Sequence, residues 1–259
     1  MSLKNLMREE LIGLIPAAGK GTRLGLPYPK ELYPVVRNCR YQPIAQYSVD
    51  NLVQAGVGHV VFVINDSKHQ LLSYFGNGQR FGCHLSYVVQ EKRERQPAEP
   101  SGESTSPGLA HALDAAYHLC RNKTVFFGMA DTIVRPRNVF QQLYASAARS
   151  DDVLLALFTT KRPEKFGMVS YDHGGQVRTI IDKPQETNLT EMWGCMIWRP
   201  SFTEHLHCAI QQQIYDFAKI LNSAIREGLH FHGVHFADGH FQDLGTYDEI
   251  MELQSELVS

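Results

Sequence analysis

The chain has 259 residues, 43% of them hydrophobic and 20% charged, with a formal net charge of −2. That length buries a large core without metal or disulfide staples, and the near-neutral balance argues against nucleic acid or an anionic membrane as the main partner. The five cysteines (Cys39, Cys83, Cys120, Cys195 and Cys208) are odd in number, scattered and without a C-x-x-C pair, so neither a zinc site nor a disulfide framework is expected and a reducing cytoplasm fits.

Taken in chain order, the first expected element is a strand over 11–16 (LIGLIP). A helix over 43–56, a strand over 59–64 (HVVFVI), a helix over 68–76 and a strand over 85–90 (LSYVVQ) follow. Residues 91–107, EKRERQPAEPSGESTSP, have almost nothing to bury and are expected to form a long loop, either a lid or an insertion. Next comes a helix over 108–120, with Leu109, Leu113, Tyr117 and Cys120 at helical spacing on one face. A strand over 124–130 (TVFFGMA), a helix over 137–150 and a strand over 152–158 (DVLLALF) complete the first part. These strands are nearly continuous apolar runs, as expected when helices cover both faces of a sheet. Strand–helix alternation predicts right-handed crossovers and a mixed, mostly parallel α/β sheet.

The second part is richer in β-structure. A hairpin is expected over 167–181, turning at DHGG, then a strand over 192–200 and an amphipathic helix over 214–228 closed by glycine. No composition shift divides the chain, so one domain over 1–259 is expected. No internal repeat is present, and in particular no hexapeptide β-helix pattern follows the core. No apolar run reaches membrane length, and the opening MSLKNLMREEL lacks a signal-peptide core.

The stretch over 15–32, IPAAGKGTRLGLPYPKEL, continues from the first strand. Small residues at Ala17, Ala18, Gly19 and Gly21 let backbone N–H groups approach an anion, and glycine admits backbone angles that other residues resist. Arg23 supplies a planar fork for phosphate oxygens and Lys30 a movable point charge. Gly19 and Gly21 begin a G-x-G-x-x-G fingerprint, but position 24 is leucine, and a Walker loop is absent too. A phosphate turn of another kind competes here with a tight turn that binds nothing. Asp131, expected at a strand end, lies where open α/β sheets bind ligands; its plainer role is a helix cap or turn former.

PAAGKGTRL followed by PKELYPV resembles the signature of the sugar-1-phosphate nucleotidylyltransferases, or nucleotide-sugar pyrophosphorylases, and the glucose-1-phosphate thymidylyl- and uridylyltransferases in particular. YVVQ ending at Gln90, GLAHAL at 108–113, FGMAD ending at Asp131, PEKFGMVSYD at 163–172, DKP at 182–184 and DLGT at 243–246 follow in that family's order. The resemblance implies a Rossmann-like nucleotide-binding half over about 11–160 and a β-rich sugar-binding half over about 161–259. It also implies transfer of a nucleoside monophosphate from a nucleoside triphosphate, UTP or dTTP, to a sugar 1-phosphate with release of pyrophosphate. Ala17, Ala18, Gly19, Gly21, Thr22 and Arg23 would cradle the triphosphate, and Lys30 would offset charge at the α-phosphate. Gln90 and Gly108 would choose the base. Lys183 would hold the sugar phosphate, with Gly167, Asp182 and Gly194 at the sugar. Asp131 and Asp243 would hold Mg²⁺. Arg23, Lys30 and Lys183 are the catalytic residues on this reading, and a homo-oligomer is a common state of such relatives.

The chain departs from that family's pattern in two places. The charged segment 91–107 separates Gln90 from Gly108, and Asp182 stands where relatives often carry glutamate, which leaves the sugar open. Histidine-rich HFHGVHF at 230–236 and HLHC at 205–208 read as strand and helix surface rather than metal ligands. The rival readings are a cytidylyltransferase acting on another alcohol phosphate and a non-catalytic regulator that binds a nucleotide sugar.

Overall fold

The computed structural model describes residues 10–19, 21, 24–37, 40–91 and 108–258. Thr22, Arg23, Cys39 and residues 92–107 of the loop expected over 91–107 therefore lie outside the described residues. The first part runs β1 (Leu11–Pro16), β2 (Pro34–Arg37), β3 (Arg40–Pro43), α1 (Ile44–Gln54), β4 (His59–Ile64), α2 (His69–Phe75) and β5 (His84–Val89). It continues with α3 (Leu109–Asp114), α4 (Tyr117–Cys120), β6 (Thr124–Phe127), β7 (Thr132–Arg135), α5 (Val139–Ala145) and β8 (Val153–Thr159). The second part runs β9 (Gly167–Tyr171), β10 (Val177–Asp182), β11 (Glu191–Trp198), α6 (Pro200–Gln211), α7 (Phe217–Arg226), β12 (Phe231–His235), β13 (His240–Asp243) and α8 (Tyr247–Val258). Among the described residues no helix is long and apolar enough to cross a membrane.

A nine-stranded mixed sheet forms the centre, ordered β10-β9-β11-β6-β1-β4-β5, with β8 branching from β11 and β12 pairing with β8. Strands β6, β1, β4 and β5 are parallel, as the strand–helix alternation predicts. Strand β11 reverses the direction, pairing antiparallel with β6, β8 and β9. The two parts of the chain thus share one sheet. Side chains alternate between two apolar layers, as strand geometry requires. Ile12 and Leu14 pack with Leu113, Phe202 and Ile220 on one face; Ile15 packs with Val49, Leu52 and Leu71 on the other. Each such fully buried side chain contributes about 1.5–3 kcal/mol.

Three of the boundaries that differ from the sequence reading bear on the site. The helix expected over 108–120 is two pieces, because the Ala116 N–H turns back to the Leu113 carbonyl and breaks the regular ladder. The strand expected over 124–130 ends at Phe127, so Asp131 sits in the turn between β6 and β7 rather than at a strand end. The helix expected over 214–228 starts at Phe217, where the Asp216 carboxylate caps the Lys219 N–H. The ribbon pairing β13 with β7 has no local signature in the sequence, and it builds the site.

Candidate active site

The carboxyl ends of β1, β4, β5 and β6 share one edge, and backbone bonds stitch their loops together. The Ala17 N–H donates to Val63 O at 2.7 Å, Gln90 N–H to Ile64 O at 2.7 Å, and Gly128 N–H to Leu14 O at 3.2 Å. The Asn65 amide holds the Ala18 carbonyl at 2.6 Å. In the turn itself Gly21 has φ of +62°, a left-handed backbone that favours glycine. A Cβ at Gly19 would meet nothing within 4 Å among the described residues. A Cβ at Gly21 would lie 3.6 Å from Lys30 Cγ, which brings the turn and Lys30 into one place.

Lys30 begins a short 3-10 turn, Lys30–Leu32, and its ammonium forms an ion pair with the Asp131 carboxylate. Burial opposes the charge on Lys30, but Asp131, Glu31 and Asp243 outweigh it and raise the ammonium pKa above its ordinary value. Next to it Glu31 is almost fully buried, and Lys68 donates to both its oxygens at 2.7 and 2.6 Å. Burial pushes the Glu31 carboxyl up, and Lys68 offsets part of that rise. This inner pair anchors the turn that carries Lys30.

Asp243 reaches Asp131 through β13, whose register sets it opposite Thr132, and the Leu244 N–H donates to Asp131 O at 3.0 Å. Burial, with the charges of Asp131 and Glu249 beside it, pushes the Asp243 carboxyl up to about 6. Behind it, Thr246 and Glu249 form a capping box on α8. Glu249 Oε2 accepts from the Gly245 and Thr246 N–H groups at 3.0 Å, and Glu249 N–H turns back to Thr246 Oγ1 at 3.4 Å. Lys165 Nζ donates to Glu249 Oε1 at 2.7 Å, tying the start of β9 to the same corner.

A cleft of about 1850 Å³ opens from the two aspartates, lined by Gly108, Gly167, Asp182, Lys183 and Trp193 among others. Gly167 and Asp182 are cross-strand partners, and the Lys183 N–H donates to Phe166 O at 2.9 Å. Lys183 has φ of +46°, a left-handed backbone in a non-glycine residue. Such strain costs about 1–3 kcal/mol and clusters at functional sites. Its ammonium lies 3.5 Å from Asp182 and is largely exposed. Gly167 has to be glycine, because a Cβ there would fall 2.3 Å from Trp193 Nε1. Trp193 is both core and wall: 9% exposed, packed on Phe127 and Phe217, and facing the cleft.

The structure brings Gly21, Lys30, Asp131 and Asp243 together, and sets Gly108, Gly167, Asp182 and Lys183 along the cleft. Ala17, Ala18, Gly19 and Gln90 stand on the strand edge outside the cleft lining. Gly194 is outside that lining too; it sits at a bulge in β11, where a Cβ would lie 2.5 Å from the Phe241 ring and 2.7 Å from the Phe158 ring. The histidines have ordinary partners: His205 lies 2.9 Å from Ser223 Oγ, and His207 2.8 Å from Asp114 Oδ1. Sequence reasoning missed Lys68, Lys165 and Glu249. The T-x-x-E spacing at Thr246 and Glu249 is a capping-box signal that could have found the last.

Charges of both signs gathered at the carboxyl edge of parallel strands suit an enzyme that handles phosphate groups. The family follows from comparison with known proteins: the chain belongs to the nucleotidyl transferase family, whose model matches residues 12–259. It is 24% identical over 250 residues to the low-salt glycan biosynthesis nucleotidyltransferase Agl11 of Haloferax volcanii, covering 93% of this chain and 64% of that protein. It is 30% identical over 183 residues to a glucose-1-phosphate thymidylyltransferase of Neisseria meningitidis, covering 67% of this chain and 56% of that one. The chain thus spans less than two thirds of the length of either relative. The fold matches the crystal structure of a UDP-glucose pyrophosphorylase complexed with UDP-glucose, with a TM-score of 0.75, 22% identity, and 95% of this chain and 98% of that chain covered.

Proposed function

We propose that the protein transfers a nucleoside monophosphate from a nucleoside triphosphate to a sugar 1-phosphate and releases pyrophosphate. The observation that carries this reading is the cluster of Lys30, Asp131 and Asp243 at a cleft that Gly167 and Lys183 also line. The Neisseria relative's name, glucose-1-phosphate thymidylyltransferase, supports the same acceptor class.

An oxygen of the acceptor phosphate attacks the α-phosphorus. The bond from that phosphorus to the β-phosphate bridging oxygen breaks, pyrophosphate leaves, and no proton need move. Two anions must meet, so positioning and charge compensation supply the catalysis. Lys30, already held beside Asp131, offers its ammonium to the α-phosphate. Lys183 offers its exposed ammonium to the acceptor phosphate, and the turn through Gly19 and Gly21 gives the triphosphate backbone room. Arg23 adds a phosphate fork on this reading.

The donor set fits Mg²⁺. Two adjacent carboxylates, one pushed up to about 6 by burial and by its neighbours, form a site that gains from a hard divalent cation. Asp131 and Asp243 would hold the ion, which supplies charge neutralisation at the phosphate oxygens when bound. Gln90 reads the base. Its amide both donates and accepts, which suits uracil or thymine and makes UTP or dTTP the donor.

The test is pyrophosphate release with Mg²⁺, screening nucleoside triphosphates against sugar 1-phosphates, with Asp131→Ala as control. Release that needs both substrates and falls by about 100-fold or more in the variant is expected. Nucleotide binding with no pyrophosphate across a broad panel would overturn the proposal in favour of a non-catalytic regulator.

A further inference from the structure

Gln90 is bonded through its backbone to β4, and its side chain crosses to α3. There its Nε2 lies 2.5 Å from Nδ1 of His111, a half-buried residue whose ring stands edge-on to Tyr215 at 6.3 Å. We propose that His111 is a positioning residue that pins the Gln90 amide in one orientation, and so selects uracil or thymine over cytosine. This rests on the reading of Gln90 as the base-reading residue.

A primary amide carries a donor end and an acceptor end on nearly the same shape, so its orientation is set by whatever grips one end. With Nδ1 of His111 as the acceptor, one hydrogen of Gln90 Nε2 is taken up by the ring. The second hydrogen and Oε1 remain as a donor–acceptor pair. Uracil and thymine present N3–H and a carbonyl at C4, which match that pair. Cytosine presents a bare N3 and an amino group at C4, so it needs the amide reversed. Reversal would bring Oε1 against Nδ1, placing two acceptors face to face, or else force the ring into its other tautomer. The discrimination is therefore built one layer behind the residue that touches the base. A site whose hydrogen-bonding groups are fixed rejects a mismatched partner because reversed groups are left unpaired.

Equilibrium binding of UTP and CTP tests this without depending on turnover. In His111→Phe, which keeps a ring against Tyr215 but removes the acceptor, the preference for UTP should shrink about ten-fold, the worth of one hydrogen bond. His111→Asp, whose carboxylate can only accept from Gln90 Nε2, should keep most of the preference, and a general packing defect would not produce that recovery. Should His111→Phe misfold, the comparison of His111→Asp with His111→Glu, whose longer side chain displaces the acceptor, gives the same contrast. An unchanged ratio in His111→Phe beside a collapsed ratio in Gln90→Ala would overturn the role of His111 and leave base reading by Gln90 standing. An unchanged ratio in both variants would overturn the two together.

Discussion

Replacing Lys68 by methionine should be among the most damaging single changes away from substrate. The Lys68 and Glu31 side chains are 3% and 2% exposed, so the carboxylate has no water to fall back on when its partner is removed. Breaking a buried pair in this way costs about 3–5 kcal/mol. At about 2–4 °C per kcal/mol for a chain of this size, that is a fall of about 10 °C in Tm. The loss should depend on pH with a definite sign. Burial already holds the Glu31 carboxyl above 4.5, and without Lys68 it rises further. A group whose folded pKa is raised contributes stability below its unfolded pKa and loses it as pH rises through the folded one. The deficit of Lys68→Met should therefore be largest near neutrality and shrink toward about pH 5. Urea denaturation at both pH values measures this, and Glu31→Met/Lys68→Met should recover most of the loss because a packed apolar pair avoids the stranded charge. A Lys68→Met variant within about 1 kcal/mol of the parent at both pH values, the range of a surface pair, would refute the reasoning.

The other expectations concern the acids and the strained lysine. The Asp243 carboxyl rises from 3.8 to about 6, so the ion-free protein should lose stability as pH climbs through that interval. Asp243→Asn should then raise the ion-free Tm at neutral pH, by an amount equivalent to about 1–3 kcal/mol, and cut pyrophosphate release by about 100-fold or more. Thermal melts without divalent ions check the first half, and a lower Tm in the variant would count against it. Lys183→Gly should relieve the backbone at φ +46° and hold or raise stability, while KM for the sugar phosphate rises and nucleotide affinity stays. Steady-state kinetics paired with nucleotide titration separate these effects, and equal loss of both affinities would remove Lys183 from the acceptor side.

Much of the fold was legible because its signals are local. The cores of β1 and β4 are buried on both faces, and continuous apolar runs announce that arrangement. The turn after β1 was legible through its bare side chains, and Gly21 takes the positive φ such a turn needs. The rest depends on long-range pairing. Glu31 and Lys68 are 37 positions apart, and neither has a sequence context that marks it as buried. Asp131 reads as a strand-end residue because TVFFGMA is one apolar run. The chain instead leaves the sheet after Phe127 and forms a turn, since β7 must pair with β13 rather than extend β6. Gln90 was legible as a strand-end amide, whereas its contact with His111 spans 21 positions and two elements.

The second half of the chain does more than enclose a pocket. Asp243 comes to Asp131 because β13 returns to β7, and Glu249 then fixes the following turn while holding Lys165. Among the described residues Lys30 answers Asp131, Lys165 answers Glu249, and Asp243 is pushed toward its protonated form. Phosphates entering such a site would upset those pairings unless positive charge arrived with them. A cation at the two aspartates would settle Asp243 in its ionised form and leave Lys30 free to share its charge with an incoming phosphate. On this reading the raised Asp243 carboxyl is a cost of assembling the site before its ligands arrive, and a bound cation removes that cost.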